Sequence, residues 1–187
     1  MTRINNKDDV DAHSIKLIAE GDEQAFEQLV QKYQQAVFNT VYRYIGIQDD
    51  VQDLAQEIFI KVWRNAGKFK GKSKFSTWLY RITVNHCINY RRRNKHKHVS
   101  LDEMTEKGKT PEAFKVIPDW EQRRKVELVR RAVDELPDRQ RMALVLSQFE
   151  ERSYKEIAEI MKVSLSAVES LIFRARSAVR VKLANVV

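Results

Sequence analysis

The stretch KFKGKSKFSTWLYRITVNHCINYRRR, residues 68–93, is the densest mixture of cations, aromatic rings and side-chain amides in the 187-residue chain. Phosphates call for cations, and unstacked bases call for flat apolar surfaces or amide hydrogen bonds. The mixture therefore suits single-stranded nucleic acid better than a purely basic stripe would. Asn85 and Asn89 lie four apart, on one face of a helix, where their amides can meet base edges. The same spacing of Phe75, Trp78 and Tyr80 also suits a helix core, and the two roles stay open for these rings.

Upstream, Asp49, Asp53 and Glu57 recur every four residues and stack three carboxylates along one helix face, with Gln56 and Phe59 nearby. Such a face binds a metal, docks on a basic protein, or is simply solvated. No His or Cys accompanies it at ligand spacing, which argues against metal, and His96 and His98 lack accompanying Cys as zinc ligands. Near the C-terminus, Ser153 and Glu156 fit a capping box that opens a helix, with Ile157, Ala158 and Met161 as its inner face. Val163 falls in a short turn, and Ser166 with Glu169 fits a second box opening the last helix. Val168, Ile172, Ala175 and Val179 line one side of that helix, while Ser170, Phe173, Arg174, Arg176 and Arg180 fall elsewhere. This is a helix-turn-helix pattern, able to place an arginine against guanine in a major groove. A plain helical bundle with solvated arginines has the same short signature.

The elements that must hold these groups are helices. Five Gly and three Pro among abundant Ala, Leu, Glu, Lys, Arg and Gln predict an all-α fold of two small helical domains joined by a flexible linker. Helices are expected before Gly21, over residues 22–45 and 49–66, and then over 76–93, where Trp78, Leu79, Ile82 and Ile88 supply the buried side. Phe26, Leu29, Val30, Tyr33, Val37, Val41, Tyr44 and Ile45 form an apolar stripe along the second. Periodicity fails between about residues 94 and 119, where Gly108, Pro111 and Pro118 mark the linker, with a possible helical turn at 113–117. The predicted domains are thus 1–95 and 120–187, with 96–119 between them. Helices over 120–136, 138–149, 153–161 and 166–184 make up the second, which contains the helix-turn-helix.

Charge is sorted along the chain. The formal net charge is +8; residues 61–97 hold twelve Lys or Arg and no acid, whereas residues 11–60 hold nine acids and three bases. A polyanionic partner explains that sorting better than solubility does, since a surface needing only solubility mixes its signs. No signal peptide or membrane span is legible, and a cytoplasmic protein without direct membrane insertion is expected. The lone Cys87 is expected to be a buried small side chain rather than a redox switch. No cofactor, metal site or catalytic constellation is expected, so neither a nuclease nor another enzyme has much support.

Three ordered motifs carry a resemblance to a known family. DLAQEIFIKVW (residues 53–63) resembles the polymerase-docking signature of extracytoplasmic-function sigma factors of the sigma-70 family. FSTWLYRI (75–82) resembles their promoter-melting segment, and Leu136-Pro137 with YKEIAEI (154–160) and FRAR (173–176) resembles their upstream-element reader. The resemblance implies a non-catalytic specificity subunit that binds core RNA polymerase on the beta-prime clamp helices and the beta flap. Asp49, Asp53, Gln56, Glu57, Phe59 and Trp63 would dock. Lys68, Lys72, Lys74, Phe75, Ser76, Thr77, Trp78, Arg81, Asn85, Asn89, Arg91, Arg92 and Arg93 would capture and melt the -10 element, holding an extruded base. Ser166, Ser170, Phe173, Arg174 and Arg176 would meet the -35 element as duplex. Glu169 and Leu171 stand where many relatives carry basic residues, so the promoter sequence does not carry over. With the two family domains filling the chain, control is expected from a separate anti-sigma factor. The rival is a conventional helix-turn-helix regulator whose first domain dimerises or senses; polymerase dependence separates the two.

Overall fold

The computed structural model describes residues 6–46, 48–99 and 120–184, and all regular elements among them are helical. The side chains of residues 6–9, 48–49, 95–99, 120–123 and 125 are outside the description, as are the linker prolines and the predicted turn at 113–117. Contacts divide the chain into two units. The first runs through Asn89 and the second starts at Tyr90, with residues 159–162 grouped with the first.

In the first unit α1 (Asn6–Ala19), α2 (Glu23–Ile45) and α3 (Gln48–Asn65) pack on one another, followed by a 3-10 turn (Ala66–Lys68) and the part of α4 (Phe75–Val99) up to Asn89. The Asp22 carboxylate caps α2 by accepting the Ala25 N–H at 2.8 Å. At its other end Gly46 takes the left-handed φ of 82° that a side chain would resist, and its N–H donates to the Tyr42 carbonyl at 2.8 Å. The predicted stripe is confirmed in its inner half, since Leu29, Val37, Val41, Tyr44 and Ile45 are buried, whereas Phe26, Val30 and Tyr33 lie half-buried at its edge. Val51, Leu54, Ile58 and Val62 form the inner face of α3 at intervals of three and four. In α4 the buried set is Phe75, Thr77, Leu79, Tyr80, Thr83, Val84, His86 and Cys87. Of the four residues expected to be buried only Leu79 is; Trp78, Ile82 and Ile88 are half-buried. The expected start of this helix at 76 and end at 93 move to Phe75 and Val99. Cys87 is fully enclosed, and burial pushes its thiol up to about 12.

The second unit contains α5 (Trp120–Asp134), α6 (Asp138–Gln148), α7 (Tyr154–Met161) as far as Ala158, and α8 (Leu165–Ala184). The run Met142–Leu146 is buried on every side, which makes α6 the axis of this unit. Leu136, Leu144 and Ala175 join in a core against which Val133, Ala178 and Val179 pack. Arg141 also sits inside, 2% exposed, with its guanidinium paired to the Asp134 carboxylate.

Candidate nucleic-acid interface

The amphipathic turn of α3 leaves Asp53, Gln56 and Glu57 exposed while Ile58 and Val62 face inward. The side chain of Asp49 lies outside the described residues. Phe59 is only 7% exposed, which corrects its assignment to a docking surface: the ring is spent on the core. Trp63 is half-buried and stands edge-on to Phe26 at 5.0 Å between ring centres.

Four rings, Tyr33, Phe69, Phe75 and Trp78, cluster at the start of α4 with centroid separations of 5.4 to 6.1 Å. Phe75, 1% exposed, and Thr77, 5% exposed, are held inside, so neither reaches a base; the open question between core and stacking roles resolves to core for Phe75 and Tyr80. Trp78 keeps part of its surface free. Lys68, Lys72, Lys74, Asn85, Asn89, Arg92 and Arg93 are exposed, and Ser76, Arg81 and Arg91 are half-buried.

Lys68, Trp78, Asn85 and Asn89 come together in one cleft of about 280 Å³, whose remaining lining is Lys61, Asn65, Ile82 and His86. Its volume lies just below the range of about 300–1,000 Å³ typical of drug-sized ligands, which suits a single flat ring. Trp78 and Ile82 supply an apolar wall, Lys61 and Lys68 supply charge, and three amides supply donors and acceptors. Asn65 donates through Nδ2 to the Lys61 carbonyl at 2.8 Å, which fixes its amide with Oδ1 as the remaining acceptor. His86 Nδ1 is hydrogen-bonded to Lys61 Nζ, and its Nε2 lies 2.8 Å from Glu57 Oε2. Lys61, Asn65 and His86 were not among the predicted contacts. The signal available was the i, i+4 spacing of Lys61 and Asn65, but nothing in sequence sets that pair opposite Asn85.

In the second unit the Ser153 box is formed as expected. Ser153 Oγ accepts the Glu156 N–H at 3.3 Å, and Glu156 Oε2 accepts the Ser153 N–H at 2.9 Å and its hydroxyl at 2.7 Å. Partial burial raises the Glu156 carboxyl, but these bonds and the neighbouring Arg152 charge outweigh it and leave the group below its ordinary value. The second box is corrected. Ser164 caps α8, its Oγ accepting the Ala167 N–H at 3.2 Å, so Ser166 lies in the first turn and Glu169 closes no box. The inner face of α7 is Ile157 and Ile160, with Ala158 and Met161 half-buried.

Between these helices Lys162 adopts a left-handed φ of 53°, and the Val163 N–H donates to the Ala158 carbonyl at 3.1 Å. That left-handed residue makes the sharp turn. Val168, Ile172 and Ala175 of α8 point inward with Val179 packed beside them, as expected. The opposite face presents Ser166 and Arg174 exposed, Ser170 half-exposed, and Phe173 with 72% of its surface bare, while Arg176, four residues after buried Ile172, is exposed at the edge of the inner face beside Leu144 and Val179. A bare ring and a guanidinium group kept in water on one helix face, after a turn made by left-handed Lys162 and closed by the Ser164 cap, have the form of a duplex-reading helix.

The family models of sigma-70 region 2 and sigma-70 region 4 match residues 29–97 and 127–179. The chain is 35% identical over 176 residues to the RNA polymerase sigma-H factor of Pseudomonas aeruginosa, covering 90% of this chain and 91% of that one. It is 39% identical over 173 residues to the ECF RNA polymerase sigma-E factor of Escherichia coli K12, covering 88% and 90%. The fold is similar to that of the Bartonella quintana sigma factor RpoE, solved with the anti-sigma factor NepR, with a TM-score of 0.64 at 20% identity over 85% of this chain and 96% of that one. One match spans the helices that form the cleft, the other spans the two capped helices, and the relatives run through both in the same order; the chain therefore belongs to the extracytoplasmic-function branch of the sigma-70 family.

Proposed function

We propose that this sigma factor docks on core RNA polymerase through Asp53, Gln56 and Glu57, against the beta-prime clamp helices, with its second domain at the beta flap. The first domain, residues 1–95, captures the melted -10 strand, with an extruded base in the cleft of Trp78, Ile82, Asn85 and Asn89. The second, residues 120–187, reads the -35 duplex with Ser170, Phe173, Arg174 and Arg176, and residues 96–119 link them. The subunit is non-catalytic and cytoplasmic, and an anti-sigma factor holds it in check, as NepR binds the Bartonella factor.

The cleft carries this reading. It combines an apolar wall, cations for phosphate and exposed amides, the set that an unstacked base with its backbone requires and that a duplex reader does not. Removing a base from its stack costs a few kcal/mol, which such a cleft would offset. The test is open-complex formation by an Asn85→Ala holoenzyme on a promoter selected in vitro. Loss of permanganate reactivity at the -10 thymines, with closed-complex binding retained, is expected. Wild-type reactivity would remove the cleft from promoter melting.

A further inference from the structure

We propose that His86 is a positioning residue for the base cleft: it holds the Lys61 ammonium at the rim, with the Glu57 carboxylate of the docking helix close to its other ring nitrogen. The inference rests on the reading of the cleft as a -10 base site. Three observations carry it. His86 is 8% exposed, yet its ring spans from the solvent-facing carboxylate of Glu57, 2.8 Å from Nε2, to Lys61 Nζ at Nδ1. Lys61 and His86 both line the cleft, whereas Glu57 does not. An ammonium has only protons to offer, so Nδ1 accepts from Lys61, and in the neutral ring the proton then sits on Nε2.

The consequence is pre-organisation. A lysine is a compact charge on a flexible four-carbon stem, and ordering it at the moment of binding weakens the complex. Fixing it beforehand is worth about three- to ten-fold in affinity, the range for one immobilised long side chain.

The experiment uses the full chain assembled with core polymerase and purified by size exclusion. The probe is the fluorescein-labelled non-template strand of a promoter that the wild-type holoenzyme selects from a random duplex pool. His86→Ala is expected to weaken binding three- to ten-fold, Lys61→Ala at least as much, and the double variant no more than Lys61→Ala alone. His86→Asn, whose Oδ1 replaces Nδ1 as the acceptor, is expected to restore most of the affinity. Additive losses in the double variant, no rescue by Asn, or wild-type binding by His86→Ala would each overturn the positioning role. Asn85→Ala serves to separate the two ideas: if it weakens binding while His86→Ala does not, the cleft reading stands and this inference fails. If neither it nor Lys61→Ala has any effect, the cleft reading itself fails.

Discussion

Removing the Asp134 carboxylate should cost far more than removing the charge it faces. Arg141 is 2% exposed within the second unit and pairs with Asp134, whose side chain keeps 39% of its surface. Breaking a buried ion pair by deleting one partner costs about 3–5 kcal/mol, because the other charge stays desolvated. The partial exposure of Asp134 places Asp134→Ala near the lower end, about 3 kcal/mol. Arg141→Met instead removes the buried charge, keeps most of the stem's volume and leaves a carboxylate that water can reach. Its cost should be below about 1 kcal/mol, and replacing buried ions by well-packed apolar groups is often neutral or stabilising. Domains of this size bury a small core and hold only about 5 kcal/mol in reserve, so Asp134→Ala should visibly shift the urea midpoint. Urea unfolding followed by circular dichroism measures both variants. Arg141→Met destabilising more than Asp134→Ala would refute the argument, and would mean that the guanidinium's other contacts outweigh the ion pair.

Other consequences can be checked alongside. Ser153→Ala should cost about 1 kcal/mol by removing the cap on the first helix of the reader, measurable as a drop in Tm. Because the Glu156 carboxyl is held below its ordinary value in the fold, its contribution is present above the unfolded carboxylate range and is lost as pH falls through the folded value. The Tm gap between wild type and Glu156→Gln should therefore close on acidification; a constant gap would contradict the charged cap. Cys87, enclosed and pushed up to about 12, should resist a water-soluble thiol reagent at pH 8 until the protein is unfolded, and prompt labelling of the native form would contradict its burial. Arg174→Ala should cost about 1–3 kcal/mol on a selected promoter and much less on unrelated duplex; equal losses on both would mean phosphate contact.

The helices were legible where periodicity and punctuation coincide, as along α2 between Asp22 and Gly46. The Ser153 box was legible because one serine stands three before one glutamate. The start of α8 was not, because Ser164 and Ser166 both offer a hydroxyl, and only the Ala167 hydrogen bond shows which one caps. The turn before it hides for a different reason. Its left-handed residue is Lys162, which bears the strain that glycine would avoid and leaves no mark in the sequence. Along α4 the mixture of basic and aromatic residues was legible, but not which rings stay free, since Phe75 and Trp78 are three apart, both meet Phe69, and only Phe75 is also covered by Tyr33. The cleft was half visible. Asn85 and Asn89 share a helix face, while Lys61 and Asn65 reach them from α3 across tertiary structure.

The central claim is that this chain works as a subunit of RNA polymerase. Its most direct test mixes purified protein with sigma-free core polymerase and resolves them by size exclusion, beside an Asp53→Lys/Gln56→Lys variant that retains the Glu57 contact with His86. Co-migration of the wild type, lost in the variant while its helical circular dichroism is kept, is the predicted result. Failure of the wild-type protein to join a core that accepts another sigma factor would contradict the account.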